Sequence, residues 1–275
     1  MPEIQKTQAP AAPIVPAAPA PQNALQKFFD EPAVKAKLAE AVHKFMSPDD
    51  MVRLGLMAVS RNPKLLQCSP QSMLRALIEA ADVRIRPLGT NGRGYLIPRK
   101  NKNTGHLEAC FDPGYRGLID IAKRGGDVVE IDAYPVYKAD EFHYQLGDAP
   151  SVRHVPNITA EDRGPIVAAY AVAHYADGRK QIEVVPAKDL QKIRDTSPAK
   201  EGGPWKSWEE EMARKSAVRR LCKYLPADDP ALETALELAN EVDKPEPALP
   251  HGDTRELENA LMGDVVVTAD GEVVS

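Results

Sequence analysis

One segment, residues 112–126, constrains the fold of this 275-residue chain more than any other. Asp112 is a residue type that accepts hydrogen bonds from the free amides of a first helical turn, and Pro113 suits the position just inside a helix start. The two glycines at 125–126 are a helix stop signal. The segment therefore predicts a helix of about three turns with Asp112 as its N-cap.

The two faces of this predicted helix differ in chemistry. Apolar residues that include Leu118 and Ile121 fall on one side, and Arg116 and Lys123 fall on the other. Tyr115 lies beside Arg116 at the helix start. A helix N-terminus with a cation and an aromatic ring is suited to hold a phosphate. An ordinary amphipathic helix would show the same spacing, so the neighbouring segments must decide between these interpretations.

Charge is distributed unevenly along the chain. Residues 227–275 contain thirteen acidic and two basic side chains, a net charge of −11. Because the whole chain has a formal net charge of −5, residues 1–226 carry +6. A basic body followed by an acidic tail is compatible with a polyanionic partner, although the total charge is negative.

Composition sets the expected domain organisation. Residues 1–23 are dominated by Pro, Ala and Gln and cannot bury enough apolar surface to offset their ordering entropy, which predicts a disordered tail. No stretch approaches a membrane span, and three scattered cysteines indicate free thiols in a reducing compartment, hence a cytoplasmic location. With no CxxC pair and no ligand spacing among the histidines, neither a metal nor another cofactor is expected.

Capping signals and periodicity predict helices in the first part of the chain. Residues 24–46 show helical spacing, and Ser47 and Ser69, each followed by proline, open helices that run to about residues 60 and 81. A hairpin with a cation-rich, turn-forming loop is predicted next. Its strands and the later ones lie at 94–99, 106–111, 127–138, 141–146, 151–155, 165–176 and 179–185, with a short helix after Pro186.

Residues 203–226 form the second informative stretch. A Gly-Pro loop delivers Trp205, and a helix then runs to Leu225. At about 100° per residue, Lys215, Arg219 and Lys223 lie along one stripe of this helix, opposite its apolar side. Arg220 flanks the stripe, and residues 231–242 follow as a short acidic helix. A basic stripe without interspersed acids departs from the usual mixed pattern of a solvated helix face.

These elements predict an α+β fold. We expect a central antiparallel sheet with packed helices, crossed by the helix of residues 112–126, with the basic helix returning to it. This core spans residues 24–226 and is flanked by the disordered N-terminal tail and an acidic C-terminal tail, residues 227–275.

Seven short blocks follow one another along the chain: PKLL at 63–66, YLIP at 95–98, GYRGLID at 114–120, DEF at 140–142, IRD at 193–195, GPW at 203–205 and RRLCKYLP at 219–226. Together they resemble the signature blocks of the RecT family of phage-type single-strand DNA annealing recombinases. The blocks keep the family order across about residues 60–226, which covers the predicted core. At residues 84–87 the usual Gly-Leu-Glu-Pro-like turn is replaced by Arg84-Ile85-Arg86-Pro87, which substitutes cations for a carboxylate.

The resemblance implies ATP-independent annealing of complementary strands on an oligomeric scaffold, either a ring or a helical filament. The chain contains no GxxxxGK[ST] phosphate loop, and annealing is energetically downhill, so no bond-making chemistry and no enzyme activity is expected. The acidic tail is a candidate binding segment for a phage exonuclease or a host single-strand-binding protein.

Sequence-neutral strand binding needs cations for the backbone and planar groups for the bases. The cations come from the hairpin and from the two predicted helices at 112–126 and before Leu225. The rings come from Tyr115 and from the loop that contains Trp205. The expected DNA-binding residues are Arg93, Arg99, Lys100, Lys102, Tyr115, Arg116, Lys123, Arg124, Trp205, Lys206, Lys215, Arg219, Arg220 and Lys223.

Two other function classes remain open at this point. A passive single-strand-coating protein would use the same groove, and only its activity separates it from an annealing protein. A metal-dependent nuclease would require several carboxylates to cluster, although no two-metal motif is present. The candidates for such a cluster are Asp112, Asp120, Asp132, Asp140 and Glu141.

Overall fold

The structure, a computed structural model, describes residues 21–42, 45–101, 104–197, 203–226 and 230–243 and two short strands near the C-terminus. The helices are α1 (Pro21–Asp30), α2 (Pro32–Val42), α3 (Pro48–Arg61), α4 (Pro70–Asp82), α5 (Tyr115–Ala122), α6 (Ala187–Thr196), α7 (Pro204–Ser207), α8 (Glu209–Cys222) and α9 (Pro230–Asp243), with 3-10 helices at Pro63–Gln67 and Thr90–Gly92. The strands are β1 (Gly94–Lys100), β2 (Leu107–Pro113), β3 (Val128–Tyr137), β4 (Glu141–Gln145), β5 (Ser151–Val155), β6 (Ile166–Tyr175), β7 (Lys180–Pro186), β8 (Val266–Val267) and β9 (Val273–Val274).

The predicted α+β class is confirmed, and its centre is an antiparallel sheet in the order β3-β6-β7. One face of this sheet packs against α8, which contacts all three strands. The β4–β5 hairpin covers the other face, where Phe142 and Val152 pack on Tyr170 and Ile182. The sheet is thus enclosed between a helical layer and a hairpin layer.

The hairpin is attached through a buried carboxylate at its base. Asp140 accepts hydrogen bonds from Arg163 (Nη2, 2.6 Å) and from the backbone amides of Tyr137 and Asn157, and its Oδ2 lies 3.1 Å from His154 Nε2. Burial alone would raise the pKa of this carboxyl, but these hydrogen bonds, led by that of Arg163, hold the pKa well below its usual range. Asp140 therefore stays ionised and clamps the hairpin to the sheet.

Helices α1–α4 form the N-terminal part of the core, and the predicted caps of two of them are confirmed. Ser47 Oγ accepts from the amide of Asp50 at 3.1 Å, and Ser69 Oγ accepts from the amide of Ser72 at 3.2 Å. The single helix expected at 24–46 is instead two helices, because the chain breaks at Glu31 and restarts at Pro32.

The predicted cap of the helix at 112–126 is wrong. Strand β2 continues through Asp112, which pairs with Tyr95 of β1, and α5 begins after Gly114 as its N-cap residue. The strand ladder therefore uses the residues that the capping signal had assigned to the helix. The helix that crosses the central sheet is α8, whereas α5 packs chiefly against α8 and α9.

Helix α9 belongs to the packed structure, although it lies beyond the predicted core boundary at residue 226. It contacts β2, α5 and α8, and Leu232 and Ala235 are buried in the main hydrophobic cluster. Ala239 is also fully buried. The packed part of the chain accordingly extends at least through α9.

All three cysteines are free thiols, and burial raises the pKa of Cys68 and Cys110 to about 11 and that of Cys222 to about 12. They are therefore protonated and unreactive at neutral pH. Within the described ranges, helices that combine the length and the apolarity needed to cross a bilayer are absent.

Arg84 ends α4 in a conformation that favours glycine. Its φ is 53°, and the next amide, that of Ile85, donates to Ala80 O at 2.9 Å, as in a Schellman cap. The Gly-Leu-Glu-Pro-like turn implied by the resemblance has glycine at this position, and glycine would adopt this φ without the Cβ penalty.

We expect Arg84→Gly to stabilise the fold by about 1 kcal/mol, raising the thermal midpoint by about 2–4 °C. Arg86→Gly is the matched control, because Arg86 is also an exposed arginine of this loop but does not have a positive φ. Thermal unfolding of the three proteins checks the prediction. A lower midpoint for Arg84→Gly than for the parent chain would contradict it.

Candidate nucleic-acid interface

Two glycines of the GYRG segment seat α5 directly on the backbone that precedes β1. A Cβ atom at Gly114 would lie 2.0 Å from Gly92 O, and one at Gly117 would lie 2.2 Å from Arg93 O. The amide of Gly114 donates to Arg93 O at 2.9 Å. Only glycine permits this approach, which places Arg116 and the loop before β1 side by side.

The N-terminus of α5 is joined to α8 through Tyr115. The Tyr115 hydroxyl donates to Glu211 Oε2 at 2.8 Å, and Arg116 Nε donates to the Tyr115 hydroxyl at 3.3 Å. Burial would raise the pKa of Glu211, but hydrogen bonds from Tyr115 and then Arg214 lower it, so Glu211 remains an anion. The predicted pair Tyr115 and Arg116 is therefore fixed in orientation, with the arginine exposed.

The β1–β2 hairpin contributes one face to the same region. Tyr95 lies opposite Asp112, and Arg99 lies opposite Glu108, so these side chains point to one side of the hairpin. Tyr95 is 39% exposed, and a Cβ at Gly92 would lie 3.3 Å from its hydroxyl and 3.5 Å from Arg116 Cδ. The ring of Tyr95 and the side chain of Arg116 are thus neighbours over the glycine turn.

Two residues of the predicted basic stripe of α8 lie near enough to the hairpin to influence one of its carboxylates. Lys215 and Arg219 are half-buried and act electrostatically on Asp112, together with Arg99 of β1. Arg219 Nη2 also donates to Asn240 Oδ1 of α9 at 2.9 Å. The structure thus brings the hairpin, the α5 N-terminus and α8 together on one side of the molecule, which we call the basic face. Its members are Arg93, Tyr95, Arg99, Tyr115, Arg116, Trp208, Lys215 and Arg219.

Burial shifts the pKa values of charged side chains on the basic face. It raises the pKa of Asp112, while Lys215, Arg219 and Arg99 oppose that rise. The same burial lowers the pKa of Lys215, and Asp112 opposes that change. Cations in such a site are only partly hydrated, so they interact more strongly with an incoming anion than fully exposed lysines do.

The two tryptophans of residues 203–208 have opposite environments. Trp205, a predicted DNA-binding residue that the sequence left open between stacking on a base and packing in the core, is only 3% exposed and is buried in α7 beside the start of α8. Trp208 is the N-cap residue of α8 and is 66% exposed. Trp208 precedes Lys215 by seven residues and Arg219 by eleven, the spacing that places residues on one side of a helix.

Several predicted residues lie away from the basic face. Arg220 donates to Asp189 of α6 at 3.1 Å, and Arg124 donates to the carbonyls of Val83 and Arg84 at the end of α4. Lys123, also at the C-terminal end of α5, lies 3.9 Å from Glu130. Arg220 and Arg124 thus join separate elements of the fold, and Lys123 takes part in an exposed ion pair.

The remaining predicted residues are at the surface. Arg93 of the basic face is exposed and pairs with Asp120, whereas Lys100 and Lys206 are exposed near the hairpin end and in α7. Lys223 is exposed at the C-terminal end of α8. Lys102 lies outside the described residues.

Sequence reasoning missed two rings of the basic face, Tyr95 and Trp208. The spacing of Trp208 to Lys215 and Arg219 was a signal for its place beside the stripe. The Gly-Pro loop instead favoured Trp205 as the exposed tryptophan. The signal for Tyr95 was its position opposite Asp112, which required the strand register.

The carboxylates of the nuclease alternative are dispersed. Asp132 lies 3.3 Å from His174 on β6, Glu141 lies 3.5 Å from Arg153 on β5, and Asp140 serves the hairpin clamp. In the part of the chain that the structure describes, groups of three or more His, Cys, Asp or Glu side chains placed to hold a metal ion are absent.

Comparison with known proteins identifies the family. The RecT family profile matches residues 49–249, which include α3 through α9. Protein RecT of Escherichia coli strain K12 is 34% identical over 226 residues, which cover 82% of this chain and 82% of that protein. The chain belongs to the RecT family, and the resemblance found in its sequence blocks is confirmed. Family membership supports a role in DNA recombination through single-strand annealing.

The contrast between the two tryptophans gives a stability prediction. We expect Trp205→Ala to destabilise the fold by about 3–5 kcal/mol, because it empties a buried site. Trp208→Ala should change stability by no more than about 0.5 kcal/mol, because that ring is exposed. Denaturant unfolding of both variants checks this expectation. Equal losses of stability would show that the two environments have been assigned incorrectly.

Proposed function

We propose that this protein binds single-stranded DNA on its basic face and anneals complementary strands without ATP, acting in the cytoplasm as an oligomer. The observation that carries the proposal is the RecT family match, which spans the elements that build this face. Annealing requires that phosphate repulsion be reduced and that bases stay accessible for pairing. Strand binding alone can reduce the phosphate repulsion and keep the bases accessible, so no chemical step is needed.

The arrangement of the basic face supports strand binding. Arg116, Lys215 and Arg219 can neutralise phosphates, and the α5 N-terminus adds the partial positive charge of its free amides. The rings of Tyr95 and Trp208 can stack on bases without distinguishing among them. Cations beside exposed rings are the combination that sequence-neutral single-strand binding uses.

A passive coating protein would share this chemistry and is the second candidate. The two functions differ in their effect on complementary strands, because coating protects a strand whereas annealing speeds its pairing. We favour annealing because of the family match. A single subunit holds too short a strand to organise a duplex, so we further propose head-to-tail contacts between subunits that form a ring or filament and lengthen on DNA.

The test mixes two complementary oligonucleotides with the protein, without ATP, and follows duplex formation by fluorescence. We expect faster duplex formation than in buffer, and a single-strand affinity that falls steeply with salt, with a slope of about −0.7 per phosphate contact. Slower duplex formation would favour the coating function. Affinity that is independent of salt would contradict phosphate binding.

Lys223→Ala tests whether strand binding extends along the basic stripe of α8 beyond the basic face. Lys223 is exposed at the end of α8, so its loss should leave stability unchanged while weakening strand binding and making the salt slope shallower by about 0.7. Lys188→Ala is the control, because Lys188 is an equally exposed lysine on α6. Equal effects of the two substitutions on binding would contradict a specific role for the stripe.

The C-terminal segment is proposed to bind a protein partner, such as an exonuclease or a host single-strand-binding protein. Because α9 is packed in the core, the candidate segment begins after α9 rather than at residue 227. Truncation after residue 250 should preserve the thermal midpoint and strand binding in vitro while impairing recombination in cells.

Truncation after Pro226 removes Leu232 and Ala235 from the core and should lower the thermal midpoint. An unchanged midpoint would contradict the packing of α9.

A further inference from the structure

Two consecutive carboxylates in the first turn of α8 each accept a hydrogen bond from a tyrosine hydroxyl. Glu210 accepts from Tyr137 of β3, and Glu211 accepts from Tyr115 of α5 at 2.8 Å. Arg214, one turn further along α8, pairs with both carboxylates. The two tyrosines are therefore anchored in the same way, on the same turn of the same helix.

The two tyrosines differ in how they contact a cation. The Tyr115 hydroxyl also accepts a hydrogen bond from Arg116 Nε at 3.3 Å, so it bridges a guanidinium and a carboxylate. In Tyr137 the ring, not the hydroxyl, meets the cation, because Arg163 Cζ lies 4.1 Å from the ring centroid while its Nη2 donates to Asp140. The Tyr115 hydroxyl thus holds a cation of the basic face, whereas Tyr137 belongs to the hairpin clamp.

The guanidinium of Arg116 has unused donors. Arg116 is exposed, and in the described parts of the chain its guanidinium has one hydrogen-bond acceptor, the Tyr115 hydroxyl. That contact uses Nε and leaves the two terminal nitrogens to solvent. Because a guanidinium binds phosphate best through a pair of N–H groups, Nη1 and Nη2 can hold a phosphate while Nε stays bound to the hydroxyl.

The hydroxyl also separates the cation from the nearby anion. Arg116 and Glu211, which both lie in the described part of the chain, are joined through the Tyr115 hydroxyl and not by a direct ion pair. A direct pair would occupy the N–H groups that a phosphate needs. The hydroxyl accepts from one group and donates to the other, so it satisfies both and keeps them apart.

We propose that the Tyr115 hydroxyl, anchored by Glu211, is a positioning group that holds the guanidinium of Arg116 ready for a DNA phosphate. This inference rests on the proposed function and gives Tyr115 a role that does not depend on stacking. A guanidinium that is already held loses less conformational entropy when a phosphate binds. One that is kept off Glu211 retains its charge and its terminal donors for the strand.

Tyr115→Phe removes the hydroxyl, keeps the ring and leaves the net charge unchanged. We expect the full-length variant to bind a fluorescent oligothymidylate about three- to tenfold more weakly than the parent chain at low salt, because Arg116 can then rotate and pair with Glu211. Loss of one phosphate contact should make the salt slope shallower by up to about 0.7. If Tyr115 acts only by stacking its ring, affinity and slope will equal those of the parent, which would overturn the inference.

Tyr137→Phe is the matched control. It removes the corresponding hydroxyl from Glu210, the neighbour of Glu211, without removing a contact of Arg116. We expect an affinity within twofold of the parent. An equal loss in both variants would show that the anchoring of the first turn of α8, rather than the placement of Arg116, is responsible, and the inference would be wrong.

A double-mutant cycle tests whether the hydroxyl acts through the guanidinium. Arg116→Ala alone should weaken strand binding, and adding Tyr115→Phe to it should weaken binding by less than a further twofold. A purely structural role for the hydroxyl would instead lower the thermal midpoint and reduce affinity by the same factor with and without Arg116. Such equal losses would refute a positioning role.

The outcomes separate the inference from the proposed function. If the parent chain fails to bind single strands, or binds them without salt dependence, the proposed function fails and the inference fails with it. If the parent binds with the expected salt dependence and a folded Tyr115→Phe variant binds as tightly, only the inference is overturned. If Tyr115→Phe does not fold, Tyr115→Leu is measured with and without Arg116, and an equal loss in both backgrounds is equally decisive.

Discussion

The packing of α8 across the central sheet is the interaction on which the rest of the structure depends. Ala217, Val218 and Leu221 are fully buried on one side of this helix, and that side contacts β3, β6 and β7. Once this side is buried, helical geometry directs Lys215 and Arg219 toward the hairpin and α9. The hydrophobic core and the candidate binding surface are therefore two sides of one helix, and the core sets the orientation of the surface.

The sequence predicted much of the fold because its signals were local. Ser47 and Ser69 cap helices through hydrogen bonds three residues away, and the strands follow turn signals that act over a few residues. The cap at Asp112 failed because β2 competes for the same residues, and a ladder with β1 depends on residues far along the chain. Helix α9 was excluded from the core for a related reason, since its burial depends on β2 and α5 rather than on its own composition.

The candidate site was harder to predict than the fold, because charge and aromatic character do not reveal what a side chain touches. Arg220 and Arg219 are adjacent in sequence, yet Arg220 turns toward Asp189 while Arg219 turns toward α9. Arg124 looks like a phosphate ligand in the sequence but caps the carbonyls at the end of α4. A run of cations therefore overstates the charge that is available to a ligand, because part of it already stabilises the protein.

The aromatic rings of the basic face differ in how firmly neighbouring residues hold them. This difference affects how each ring would stack on a base. Tyr115 is held at its hydroxyl by Glu211, and the ring of Tyr95 lies against the glycine turn before β1. A ring that is already oriented loses little conformational entropy on stacking, so these two rings would contribute to affinity mainly through preorganisation. Trp208 is 66% exposed at the start of α8, so its contribution would depend on the area it covers. Under the proposed function, a face that combines two held rings with a more exposed one would follow a flexible strand without requiring a particular base.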